Sequence, residues 1–209
     1  MSQQKIFGIG LSRTGTTSLH IALLLLGKAA IHYPYAIARD WLEGNYSQSL
    51  IKDYDAFTDI PTAIYYRELD ESFPNSRFIL TIRDEESWIK SARHFFNNTI
   101  PPSQDTILRD MIRLATYGAI RFEEKRFRRI YREHNDSVQS YFEGRQESLL
   151  ILDLTKGQGW KELCEFLDII DVPSYEFPRL QSPNLGQFSD VSHNDFQIKI
   201  TEMKRLLFT

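Results

Sequence analysis

The chain has 209 residues, 42% hydrophobic and 13% aromatic, enough to bury one substantial core, and we read residues 1–209 as a single domain. A net charge of −3 excludes a whole-molecule positive field for nucleic acid or anionic membrane, so any anion site must be local. The one cysteine, Cys164, excludes an internal disulfide and a multi-cysteine metal centre and fits a reducing compartment.

At the amino end MSQQK lacks the charged and apolar regions of a signal peptide, and IALLLL is too short to span a bilayer, so a cytoplasmic location is expected. The first strand is expected in KIFGI (5–9), a continuously apolar run. It leads into GLSRTGTT (10–17), where Gly10 and Gly15 stand five apart, and then into a helix over 16–26 that is apolar nearly all round and should be buried. A strand, a glycine turn and a helix place backbone N–H groups and the positive end of a helix dipole around one anion. Arg13, Thr16 and Thr17 can add charge and hydroxyl donors. The plainer reading of the loop alone is a turn that only joins strand to helix. A triphosphatase loop needs lysine where Thr16 stands, and a dinucleotide fingerprint starting at Gly8 would need glycine where Arg13 stands.

Further strands are expected in AAIHY (29–33), DAFT (55–58), RFILTI (77–82) and LLILDL (149–154). Alternation of the early runs with helix-length segments predicts an α/β fold, a parallel sheet with helices on both faces. Asp59, in AFTDIP, ends a strand; it is a candidate base, or a cap that exploits its place before Ile60 and Pro61. Arg83 also ends a strand, Asp84 can cap the next helix, and Ser91 follows Arg83 by eight residues, so arginine and serine could share one phosphate at the carboxyl edge of the sheet. The other candidate bases are His20, His32, His94, His134 and His193, none at metal-ligand or catalytic-pair spacing.

Residues 97–148 show helical periodicity without a strand, a helical insertion before the last strand. Within it Phe127, Ile130, Tyr131, His134, Val138, Tyr141 and Phe142 form one apolar stripe, opposite Arg121, Lys125, Arg128, Arg129 and Arg132, which read as a solvated, ion-paired face. TKGQG (155–159) is either a segment that closes over a nucleotide, with Lys156 adding charge, or a surface turn. WKELCEFL places Cys164 on the apolar face of a helix as an inert thiol. The tail, 171–209, reads as a strapping loop and a short terminal helix.

SRTGTT together with the Arg83–Ser91 spacing resembles the sulfotransferase family that uses 3′-phosphoadenosine 5′-phosphosulfate, whose 5′-phosphosulfate loop has the form [KR]TGTT and whose 3′-phosphate motif has an arginine followed eight residues later by a serine. GWKELCEFL (159–167) and VPSYEFP (172–178) resemble a branch of small sulfotransferase-like proteins. The resemblance implies a P-loop-type fold whose insertion and tail shape an acceptor pocket. It also implies donor binding by Ser12, Arg13, Thr14, Gly15, Thr16, Thr17 and Ser18, by Arg83 and Ser91, and by Lys156 and Gly157. The string TDIP resembles the family's THLP, whose histidine is the base, which puts Asp59 in that role with Arg13 stabilising the leaving group. The chain departs from the family in having arginine where many members have loop lysine, and in having Ser18 where a tryptophan often stacks on adenine.

The function so implied is transfer of a sulfuryl group from that donor to a hydroxyl or amine of a small, apolar or aromatic acceptor, yielding adenosine 3′,5′-bisphosphate, with no metal. Phe95, Phe96, Tyr117, Tyr131 and Tyr141 are candidate pocket walls, or core. The alternatives are a P-loop small-molecule kinase using ATP and a nucleotide-bisphosphate binder without turnover.

Overall fold

The computed structural model describes residues 4–46, 49–97, 106–178, 190–192 and 194–208. In chain order the elements are β1 (Ile6–Gly8), α1 (Thr16–Leu25), β2 (Ala30–His32), α2 (Tyr35–Leu42), β3 (Ala56–Thr58), α3 (Tyr66–Ser72), β4 (Arg77–Thr81), α4 (Glu85–Asn97), α5 (Thr106–Tyr117), α6 (Glu124–Tyr141), β5 (Leu149–Leu152), α7 (Trp160–Phe166), β6 (Asp190–Val191) and α8 (Phe196–Phe208). All five apolar runs become strands, parallel and in the order β5-β4-β1-β3-β2. The sixth strand, β6, lies antiparallel on β2 in the tail. The helical insertion therefore precedes the last parallel strand, β5, while the last strand in the chain is a two-residue edge in a polar region that shows no apolar run. Residues 179–189 of the expected strapping loop, and His193, lie outside the described residues.

Strand side chains alternate between two faces, and each face is covered. Ile6, Ala30, Ala56, Ile79 and Leu152 pack with α1, Trp160 and Leu163 of α7, and Ile200 and Met203 of α8. Phe7, Ile31, Phe57, Phe78 and Leu80 pack with Ile37 and Trp41 of α2, Tyr66 and Leu69 of α3, and Val138 of α6 with the adjoining Phe142. Apart from Thr17, every residue of α1 is buried, as its uniform apolarity requires. Cys164 is fully buried, and burial pushes its thiol up, so it stays protonated and inert. Among the described residues no helix is long and apolar enough to cross a membrane.

The insertion forms a third cluster at the sheet's carboxyl edge: Trp88, Ile89 and Phe96 of α4, Ile112 and Tyr117 of α5, and Phe127 and Tyr131 of α6. The basic face of α6 is ion-paired as expected, but mainly across to α4: Arg128 meets Glu85 and Glu86, and Arg132 meets Glu85. Two stripe residues fasten α6 to strand ends. Tyr131 accepts from the Arg83 N–H at 3.1 Å and donates to the Arg83 carbonyl, and His134 Nε2 lies 2.7 Å from the Ile9 carbonyl. That carbonyl can only accept, so Nε2 carries the proton.

Two outcomes follow from this packing. A Cβ on Gly10 would stand 2.0 Å from Thr81 Oγ1 and 2.6 Å from the Thr81 carbonyl oxygen, so β1 can pass the end of β4 only with glycine there. Gly10→Ala should therefore cost about 1–3 kcal/mol in urea unfolding; an unchanged midpoint would contradict the close approach. Burial also holds His134 below its ordinary value. As pH falls below about 6.5 the unfolded chain takes up that proton before the folded chain does, so stability should drop by up to ~1.4 kcal/mol per pH unit. His134→Gln, which keeps a donor for the Ile9 carbonyl, should remove this share of the acid slope.

Candidate active site

In a parallel sheet every strand delivers its following loop to one edge. Here that edge holds the loop after β1, His32 at the end of β2, Asp59 after β3, Arg83 after β4 and Leu154 and Thr155 after β5. They meet around a cavity of about 340 Å³, lined by Ser12, Arg13, Thr14, Gly15, Thr16, Thr17, Ser18, His32, Asp59, Arg83, Ser91, Phe95, Leu154 and Thr155. All seven expected loop residues are on it, with Arg83, Ser91 and Asp59. Lys156 and Gly157 are not among the lining residues: Lys156 is exposed and 3.6 Å from Asp153, and their neighbours Leu154 and Thr155 face the cavity instead.

Arg13 (φ 75°) and Gly15 (φ 110°) give the loop two left-handed turns. At Gly15 a Cβ would also stand 2.8 Å from Leu154 Cδ1, so glycine is required twice over. Thr14 turns inward, its hydroxyl 2.7 Å from the Leu11 carbonyl and 2.6 Å from Thr81 Oγ1, and braces the loop against β4. No side chain caps α1, which leaves its first-turn N–H groups and positive dipole end at the cavity.

Asp59 (φ 72°) is almost fully buried and ties four segments together. Its Oδ1 accepts from Ser12 Oγ and, at 2.7 Å, from the Ile60 N–H; its Oδ2 accepts from Thr16 Oγ1 at 2.8 Å and lies 3.5 Å from His32 Nε2. The 3-10 turn Thr62–Ile64 that follows has no side-chain cap, so Asp59 does not serve as its cap. His32 is held from its other side by Thr58 Oγ1, 3.0 Å from Nδ1, with Thr17 Oγ1 3.2 Å from Nε2. Burial holds this imidazole below its ordinary value while Asp59 pulls the other way, and the ring is neutral at pH 7.

Arg83 and Ser91 share the cavity but not a bond. Arg83 donates to Ser87 Oγ and, at 3.2 Å, to the Arg13 carbonyl, while its Nε is buried without a partner among the described residues. Ser91 accepts from Arg13 Nε at 3.1 Å, and the Arg13 guanidinium lies 5.1 Å from the centre of the Phe95 ring. A buried, unpaired guanidinium N–H costs free energy until an acceptor reaches it. An anion at Arg83 would supply one.

Phe95, Ser12, His32 and Asp59 also line a second cavity of about 410 Å³, completed by Tyr33, Tyr35, Ile60, Phe96, Arg109 and Arg113. Of the aromatics expected as walls, Phe95 and Phe96 line it, whereas Tyr117 packs in the third core, Tyr131 holds the Arg83 backbone and Tyr141 donates to Asp70. Among the other candidate bases, His20 is buried against the His32 ring, His134 is committed to the Ile9 carbonyl and His94 lies exposed on α4. Sequence reasoning missed Tyr33, Tyr35, Arg109 and Arg113. The available signal was the pair Arg109 and Arg113, spaced i, i+4 in the string TILRDMIRLATY, which holds one carboxylate, Asp110, for two arginines.

The protein "Ava biosynthesis cluster protein M" of Aspergillus versicolor is 28% identical over 212 aligned positions, covering 84% of this chain and 80% of that protein. The crystal structure of a sulfotransferase from Alicyclobacillus acidocaldarius superposes with a TM-score of 0.52 at 13% identity, covering 99% of this chain and 96% of that one, which establishes a shared fold. The family model for the sulfotransferase domain matches residues 5–184. With most of its length matched, including the loop, Asp59, Arg83 and the insertion, this chain belongs to the sulfotransferase domain family.

Proposed function

We propose that the chain transfers a sulfuryl group from 3′-phosphoadenosine 5′-phosphosulfate to a hydroxyl or amine of a small-molecule acceptor. The observation that carries this reading is one cavity with two separate anion-binding features, the uncapped amino end of α1 and the partnerless Nε of Arg83. A donor with phosphates at both ends of its ribose needs two such features. The name of the Aspergillus relative, a biosynthesis cluster protein, supports a small-molecule acceptor.

When bound, the donor supplies an activated sulfuryl group, whose sulfur bonds to the acceptor oxygen or nitrogen as its bond to the bridging phosphate oxygen breaks. The backbone N–H groups of Thr16 and Thr17 in the first turn of α1 hold the 5′ end, and Arg83 and Ser91 hold the 3′-phosphate. Arg13 stabilises charge on the leaving oxygen; a guanidinium keeps its proton near neutral pH and does not act as a general acid. Asp59, present in both cavities, takes the acceptor's proton.

One observation favours a second assignment of that last role. Three donors already occupy the Asp59 carboxylate, which commits its oxygens to holding the loop after β1, the first turn of α1 and its own chain. His32 is neutral, lines both cavities and has Thr58 at its Nδ1, so Nε2 is the nitrogen that would accept the proton, and Asp59, 3.5 Å away, would stabilise the imidazolium formed.

Adenosine 3′,5′-bisphosphate should raise the melting temperature far more than AMP or ATP. Arg83→Ala should cost about 1.5–3 kcal/mol of that binding, and nothing for a ligand lacking the 3′-phosphate. Equal shifts for AMP and the bisphosphate would sink the two-site reading.

Asp59→Asn and His32→Gln separate the two bases in single-turnover transfer. With Asp59 as base, Asp59→Asn should lower the rate by roughly 10²–10⁴ while His32→Gln stays near wild type, and with His32 as base both should fall by that order. Bisphosphate titration of each variant is the control, because a loss of donor binding would mark the residue as a loop brace.

A further inference from the structure

The second cavity has an electrostatic feature that sulfuryl transfer itself does not use. Its walls are mostly apolar, yet α5 presents two guanidiniums to it, Arg109 and Arg113, one helical turn apart. Arg109 has a carboxylate partner, Asp110, at 3.2 Å. Arg113 is only 8% exposed and has no carboxylate in salt-bridge contact among the described residues. Its contacts are a long hydrogen bond of 3.5 Å to the Ile120 carbonyl and two aromatic faces, Phe96 at 4.8 Å and Phe95 at 5.9 Å. Burial, and after it the like charge of Arg109, pull Arg113 below the ordinary arginine range. Beside them the Tyr33 hydroxyl is buried and has no hydrogen-bond partner among the described residues. An isolated buried cation and an unsatisfied buried hydroxyl are both costly, and one ligand group can relieve both.

Resting on the sulfotransferase reading above, we propose that the acceptor is an apolar or aromatic molecule bearing a carboxylate, which Arg113, with Arg109 and Tyr33, binds in the cavity shared with Asp59. Asp110 pairs with Arg109, and Asp59, the other carboxylate on the cavity wall, is held by Ser12, Thr16 and the Ile60 N–H, so Arg113 is the guanidinium without a carboxylate in salt-bridge contact among the described residues, and one carboxylate on the ligand would match it. A planar carboxylate can accept from guanidinium and phenol together. The apolar wall of Phe95, Phe96 and Ile60 takes the body of the molecule, and its hydroxyl or amine turns to the side of the cavity that holds Ser12, His32 and Asp59. Phe95 lies against Arg13 on the donor side and Arg113 on the acceptor side, so the two positive centres keep to separate cavities. A neutral acceptor of the same shape would leave Arg113 unpaired. The acid should therefore be selected over its ester.

The test is calorimetric titration with three acid and methyl-ester pairs of graded length: 4-hydroxyphenylacetate, 3-(4-hydroxyphenyl)propionate and 4-hydroxycinnamate. Each is titrated with and without adenosine 3′,5′-bisphosphate. At least one acid should bind about 10-fold or more tightly than its ester, the scale of a charge-assisted hydrogen bond. In Arg113→Gln the preference should fall to near unity with the bisphosphate Kd unchanged; Arg109→Gln, a more exposed change, should reduce it in part and carries the test if Arg113→Gln does not fold. Three equal pairs in wild type, or a preference that survives both substitutions, would overturn the proposal. The bisphosphate arm separates the two claims. Acid selection without bisphosphate binding would break the donor reading alone, and bisphosphate binding without acid selection would break this one alone.

Discussion

The structure turns on a single carboxylate. Asp59 stands where β3 ends, and its two oxygens accept from the loop after β1, from the first turn of α1 and from its own chain, with the end of β2 in reach. Buried charge is tolerated only where several donors surround it, and here those donors define the geometry around them. Between Ser12 and Thr16, both bonded to Asp59, the loop makes its two left-handed turns, and the amino end of α1 that follows carries no side-chain cap among the described residues. The first turn of α1 and the Asp59 wall of the second cavity therefore share one network. Its opposite side is fixed by α6, whose Tyr131 and His134 grip the chain just past β4 and β1.

Not all charge in the molecule has this weight. The pairs that join α6 to α4 through Arg128 and Arg132 lie at the surface, where water and salt screen them, and the apolar contact beneath does more to seat the insertion. Trp88 is central to that contact. Its ring stacks on Tyr131 at 4.5 Å between centres, and its indole N–H donates to the Ser12 carbonyl at 2.9 Å. One residue of α4 therefore links the helical insertion to the loop after β1, and α4 supplies residues to the walls of both cavities.

What the sequence made legible follows the range of the interactions concerned. KIFGI, AAIHY, DAFT, RFILTI and LLILDL are continuously apolar because a parallel strand is buried on both faces, and each is a strand. β6 is two residues held by pairing with β2, and nothing local marks it. The loop, Asp59, Arg83 and Ser91 were legible because each sits at a strand end or on the helix beyond one, and the sheet brings such ends together. Their mutual bonding was not: Arg83 meets Ser87, one turn along α4, while Ser91 meets Arg13. Periodicity places residues on a helix face, and it does not choose among hydroxyls on that face. The second cavity was least legible. Its wall joins Tyr33, after β2, to Arg113 of α5, a pairing that only the docking of the insertion creates.

The central claim is that one cavity holds both ends of a nucleotide bisphosphate, and a crystal structure with adenosine 3′,5′-bisphosphate bound tests it most directly. The account predicts the 5′-phosphate on the N–H groups of Thr16 and Thr17, with the 3′-phosphate accepting from Arg83 Nε and from Ser91 Oγ. A nucleotide bound elsewhere, or one whose 3′-phosphate points to solvent while Arg83 Nε stays without a partner, would contradict it.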